Sequence, residues 1–182
     1  MSDTAVLVVD MFNTYDHADA EPLARHVESV LEPVANLVAE ARRRADVDLI
    51  YVNDNHGDFS AQFTDIVAAA RRGHRPDLVE PILPDRDCRM LTKVRHSVFY
   101  ATALDYLLGQ LGTRRVVLVG QVTEQCILYS ALDAYVRHFD LVVPADAVAH
   151  IDAELGDAAL KMMETNMHAA VLPAAHSLDR PA

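Results

Sequence analysis

The sequence predicts an α/β fold, a doubly wound parallel sheet of six strands with helices on both faces, and three observations lead there. Four short apolar runs, at residues 5–9, 48–52, 116–119 and 141–143, are each bounded by polar or turn residues. Runs without polar alternation suit strands covered on both faces. Helical spacing fills the intervals between the runs, and strands alternating with helices build a parallel sheet. No internal repeat or linker interrupts the pattern, so one domain is expected over residues 1–182.

Taken in order, the first run leads into a helical pattern. Leu23, Val27, Val30, Leu31, Val34, Leu37, Val38 and Ala41 recur at three-to-four spacing, and Pro33 is expected to kink or restart that helix. Residues 89–94 form a weaker fifth strand and 169–172 a weaker sixth. Further helices are expected over 101–111, 123–136 and 153–167. The stretch 73–87 carries Pro76, Pro81 and Pro84, and reads as a covering loop or a short helix plus loop.

Composition narrows the functional classes. A formal charge of −11 argues against nucleic acid and anionic membrane surfaces as partners. No run approaches the ~18 to 20 apolar residues of a membrane helix. The opening Met1-Ser2-Asp3-Thr4 has neither a basic stretch nor a small-residue cleavage site, so no signal peptide is expected. The two cysteines, Cys88 and Cys126, are too few for a disulfide-stapled secreted domain, and free thiols in the cytoplasm are expected. Cys88 opens an apolar stretch and reads as a small buried hydrophobe.

Open parallel sheets bind ligands beyond the carboxyl ends of their strands. There the sequence places Asp10, then Asn53-Asp54-Asn55-His56, then Lys93, then Gly120 leading to Thr123-Glu124-Gln125-Cys126. Singly, each has an ordinary reading: Asp10 a turn former or cap, Lys93 a solvated surface lysine. Cys126 falls in the first turn of a helix, where the terminus lowers a thiol's pKa. A carboxylate, an ammonium and a thiol on one rim are the parts of a nucleophilic site.

The segments Val8-Val9-Asp10-Met11, Lys93-Val94-Arg95-His96-Ser97-Val98-Phe99, Gly120-Gln121-Val122-Thr123-Glu124-Gln125-Cys126, Asp133-Ala134 and Pro144-Ala145-Asp146-Ala147 resemble the isochorismatase-like cysteine hydrolases over residues 4–172. That family includes nicotinamidases and N-carbamoylsarcosine amidase. The resemblance implies strand order 3-2-1-4-5-6, a catalytic triad of Asp10, Lys93 and Cys126, a non-proline cis peptide between Gln121 and Val122, and a dimer or larger homo-oligomer.

With that triad, the Cys126 thiolate attacks an acyl carbon to form a thioester. Asp10 moves the protons, Lys93 favours the anionic partners, and the Val122 and Cys126 amides hold the oxyanion. Thr123 is expected to cap the helix that presents Cys126. Many relatives carry glutamine where this chain has Phe12, which suggests a more apolar wall. Phe12, Tyr15, Phe59, His96 and Tyr129 are the candidate substrate-binding side chains. Because the cysteine is kept, amide or ureido hydrolysis is favoured over the isochorismatase-type vinyl ether reaction.

Asp54-Asn55-His56 matches the Asp-x-His with which nicotinamidases hold a divalent metal. A third ligand is wanting, since His74 aligns poorly, and the expectation is no metal and no cofactor. Readings from other classes are a receiver-like phosphoacceptor module, which leaves Cys126 without a role, and a catalytically silent binding domain.

Overall fold

The structure, a computed structural model, describes residues 3–179; Met1 and Ser2 of the opening stretch lie outside the described residues. Its strands are β1 (Thr4–Val9), β2 (Val47–Asp54), β3 (Arg89–Lys93), β4 (Arg115–Gln121), β5 (Asp140–Pro144), β6 (Val148–Ala149) and β7 (Ala170–Leu172). Its α-helices are α1 (Ala20–Arg43), α2 (Phe63–Arg71), α3 (Leu104–Leu111), α4 (Leu128–Val136) and α5 (Ala153–Met167).

The strands pair in parallel in the order β3-β2-β1-β4-β5-β7, with β6 beside the end of β4. The expected order is observed. The sixth expected strand is β7, displaced in number by two-residue β6, too short to leave a pattern. Every residue of β1 is buried, as its central place requires.

Alternation sorts β1 between two cores. Val6 and Val8 pack with α1, α2 and the buried Leu78, Val79 and Ile82. Ala5, Leu7 and Val9 pack with α3, α4 and α5. The helices therefore cover both faces.

Two local expectations, for α1 and α3, are corrected. Helix α1 runs through Pro33 without a break. Pro33 costs roughly 3 kcal/mol. On either side, Val27, Val30, Val34, Leu37 and Val38 are buried against the sheet, at ~1.5 to 3 kcal/mol each. Packing outweighs the proline. Helix α3 begins at Leu104 rather than 101, because Ala101 has φ 53° and the Thr102 hydroxyl accepts from the Leu104 N–H at 3.2 Å. The stretch 73–87 holds two single 3₁₀ turns, Pro76–Leu78 and Glu80–Ile82. Helix α2, absent from the sequence reading, is opened by a reciprocal cap between Gln62 and Asp65.

At the carboxyl end of the sheet, β1 and β4 approach very closely. Gly120 has φ 117°, and a Cβ there would lie 2.2 Å from the Val9 carbonyl oxygen. Only glycine fits.

Candidate functional site

The register sets the ends of the inner strands level: Val9 stands opposite Val52 and Gly120, and Asp54 opposite Lys93. Asp10 is the first residue beyond β1. Its N–H still bonds the Val52 carbonyl at 3.0 Å, while φ 53° turns the chain away. Asp tolerates this left-handed conformation better than most residues. Its Oδ1 accepts the Asp54 N–H at 2.7 Å.

Lys93 ends β3, two strands from β1 and so roughly 10 Å away. Its long stem spans that gap, and the side chain is 0% exposed. The ammonium lies 2.8 Å from Asp10 Oδ2, 3.1 Å from Asp54 Oδ2 and 3.7 Å from Cys126 Sγ. Asp10, Lys93 and Cys126 thus meet at one point.

Cys126 is carried by a wide π-helical turn, Thr123–Ile127, which precedes α4. The peptide bond Gln121–Val122 is cis. The Val122 N–H is directed at the Cys126 sulfur. Thr123 does not cap as expected: its hydroxyl is buried and has no hydrogen-bond partner among the described residues. The Val122 carbonyl closes the turn instead, accepting from Gln125 and Ile127.

Burial dominates the electrostatics. It raises the Asp10 pKa, opposed by the Lys93 cation and by a hydrogen bond from the Cys126 thiol. Burial by itself would lower Lys93, but Asp10, Cys126 and Asp54 outweigh it and the ammonium is stabilised. Burial, then the Asp10 charge, pushes the Cys126 thiol well above its ordinary value despite Lys93. This corrects the expectation of a lowered thiol pKa, since a short turn's terminal charge is outweighed by desolvation and a touching carboxylate. At rest the neutral thiol is favoured over the thiolate.

A cavity of about 640 Å³ opens onto Asp10, Asp54 and Cys126. His96 and Phe59 line it, Phe59 being 82% exposed. Tyr129 packs against His96 with the rings tilted by 54° and their centroids 5.2 Å apart, without lining the cavity. Phe12 and Tyr15 are elsewhere. Phe12 is in the core against Tyr51 and Phe63, each 5.7 Å away between ring centroids. Tyr15 is buried, with its hydroxyl donating to Gln121. Chain reversal after Asp10 turns both rings under the rim, so the apolar wall expected from Phe12 is not formed.

Sequence reasoning missed the groups that brace the rim. The Asn53 side chain accepts the Phe12 N–H at 2.9 Å and donates to the Phe12 carbonyl at 3.2 Å. The Gln121 amide donates to the Asp10 carbonyl. Glu124 accepts the Ile151 and Asp152 N–H groups at 3.0 Å each. His17, Arg95, Gln125 and Ile151, also missed, line the cavity. Amides on strand ends carry no signal in a single sequence; only the partner's position gives them a role.

The donors near Asp54 do not fit a divalent metal. Asp54 Oδ2 is taken by Lys93 at 3.1 Å and Oδ1 by the His56 N–H at 2.8 Å. His56 is exposed, and His74 sits on the surface 3.9 Å from Asp16. Among the described residues, no three His, Cys, Asp or Glu side chains form a cation-binding group. Nor is any helix among them long and apolar enough to cross a membrane.

Comparison with known proteins agrees with this architecture. The isochorismatase family YaaI protein of Bacillus subtilis, uncharacterised, is 32% identical over 170 residues, 93% of each chain. A ureidoacrylate amidohydrolase of Rhizobium rhizogenes is 27% identical over 176 residues, 82% of this chain and 72% of its own. The structure of N-carbamoylsarcosine amidase from Thermoplasma acidophilum superposes with TM-score 0.73 at 28% identity, covering 100% of this chain and 99% of that one. The profile of the isochorismatase domain matches residues 4–176, from the first strand to the turn after the last. The chain therefore belongs to the isochorismatase family of hydrolases, which has amidohydrolases among its members.

Proposed function

We propose that this protein is a cytoplasmic cysteine hydrolase that cleaves a small amide, ureido or related C–N substrate through a thioester on Cys126. The observation that carries this reading is the placement of the Lys93 ammonium, 2.8 Å from Asp10 and 3.7 Å from Cys126, behind the two residues that line a cavity of about 640 Å³. Amidohydrolases among the relatives support the reaction class.

The geometry suits a proton transfer coupled to attack rather than a preformed thiolate. As Cys126 Sγ adds to the carbonyl carbon, its proton passes to Asp10, the acceptor it already touches. The carbonyl oxygen gains negative charge, which the Val122 and Cys126 amides hold. Collapse expels the nitrogen, protonated by Asp10, and leaves the acyl group on sulfur. Water, deprotonated by Asp10, then adds to the thioester; carboxylic acid leaves and the thiol regains its proton. Lys93 stays charged throughout and opposes the rise that burial imposes on the Asp10 pKa.

The test is a hydrolysis screen over small primary amides, ureido compounds and isochorismate, with intact-mass detection of acylated Cys126. Turnover of a C–N substrate with an acyl adduct on Cys126 is expected. Turnover of isochorismate alone, with no adduct, would replace this reading with vinyl ether hydrolysis.

A further inference from the structure

We infer that Asp54 is a positioning residue, the second carboxylate anchor of Lys93, and that it sets the balance between thiol and thiolate at Cys126. The inference rests on the reading of Cys126 as nucleophile but goes beyond the triad, to which Asp54 does not belong.

An ammonium has three N–H donors. Those of Lys93 face three acceptors: Asp10 Oδ2 at 2.8 Å, Asp54 Oδ2 at 3.1 Å and Cys126 Sγ at 3.7 Å. The group is saturated, and its rotation is fixed by the two carboxylates. Asp54 also acts on the other side of the site, because its backbone N–H holds Asp10 Oδ1 at 2.7 Å. One residue therefore orients both the base and the cation. Its own carboxylate is steadied by the His56 N–H at 2.8 Å. The Asp-x-His spacing is thus used for a turn that aims a carboxylate at an ammonium.

Charge gives the arrangement its consequence. With both carboxylates ionised, the Asp10–Lys93–Asp54 group sums to −1 and opposes a further anion on sulfur. The remaining titratable and charged groups on the cavity are His17, Asp19, His56, Arg95 and His96. Neutralising Asp54 leaves the sum at zero and loosens the hold that keeps the ammonium 3.7 Å from the sulfur. The thiolate is favoured, while the ammonium loses its fixed orientation toward Asp10.

Asp54→Asn tests this, because it keeps the shape and removes the charge. Cys126 alkylation by iodoacetamide, mapped by peptide mass to separate it from Cys88, is expected to accelerate about three- to tenfold at neutral pH, half to one pKa unit. Hydrolysis is expected to fall about tenfold or more in kcat with KM little changed, since orientation serves the transition state. These opposite movements separate positioning from damage, which lowers both. Unchanged alkylation and unchanged kcat would overturn the inference. So would stoichiometric metal in the wild-type protein that is lost in Asp54→Asn. Asp54→Ser, read the same way, serves if the Asn variant does not fold. The alkylation arm needs no substrate, so it stands or falls separately from the hydrolase reading.

Discussion

The two ends of the sheet use the same residue types for opposite purposes. At the amino end, Arg44 grips Asp46 with two nitrogens at 2.8 and 3.0 Å, and the Arg44 side chain is 29% exposed. At the carboxyl end, Lys93 grips Asp10 and Asp54 with no exposure at all. A solvated ion pair is worth at most about 1 kcal/mol and costs little to form. A buried pair must recover a desolvation cost of several kcal/mol per ion, and an apolar trio of similar volume is often no less stable. The carboxyl end therefore accepts a burden that stability does not require, and it does so where a cavity opens. Two glycines, one before β4 and one near its end, repeat the contrast. Gly112, before the strand, has φ 73° and nothing within 4 Å of an added Cβ, whereas Gly120, at its far end, would meet the Val9 backbone. Tyr15, His56 and His96 around the rim share the left-handed conformation of Asp10.

The largest expected effect breaks the chemistry and spares the fold. Cys126→Ala is expected to lower hydrolysis about 10⁴-fold or more, as nucleophile removal does elsewhere. The fold should lose only about 1 kcal/mol from the vacated sulfur volume, read by urea denaturation. Substantial residual turnover would remove the covalent route.

Next, Lys93→Met is expected to cost roughly 3 kcal/mol or more by leaving the buried Asp10 and the partly exposed Asp54 without a cation. Arg44→Met at the other end should cost ~1 kcal/mol or less. Lys93→Met should also slow Cys126 alkylation, since the nearby cation is gone. Equal stability losses in the two variants would erase the contrast between the ends.

The glycine pair sharpens the same point. Gly120→Ala is expected to cost about 3 kcal/mol or more, combining a backbone clash with an unsuitable φ. Gly112→Ala, with open space and only the φ penalty, should cost about 1 kcal/mol. Differential scanning calorimetry on both variants gives the comparison.

The smallest effect is read from pH. The folded Cys126 thiol titrates above its ordinary value, so past about pH 8.5 the unfolded chain releases a proton that the folded chain keeps. Stability contributed by the neutral thiol is complete below that pH and declines by about 1.4 kcal/mol per unit above it. Lys93, also raised, follows the same sign, but its contribution begins to decline only above about pH 10.4. Between pH 8 and 10 the wild type should therefore lose more stability than Cys126→Ala. Parallel declines would mean the thiol is not protonated by its surroundings.

Sequence alone determined the sheet. Buried strands in a parallel sheet must be unbroken apolar runs, and helices that cover them must repeat at three to four, so both periods are written locally. Strand ends gave Asp10, Lys93 and the Gly120–Cys126 segment their common rim, because parallel strands all finish on one side. Tertiary structure decided what those residues face. It placed Phe12 and Tyr15 in the core, gave Asn53 and Gln121 bracing roles, and carried α1 through Pro33. It also reversed the expected shift of the Cys126 thiol and turned Asp54 toward Lys93. These outcomes depend on desolvation and on partners distant in the chain, such as Asn53 for Phe12, 41 positions away, and Gln121 for Asp10, 111 positions away. A residue's type states what it can donate, accept or ionise; only the folded chain supplies the neighbour and removes the water.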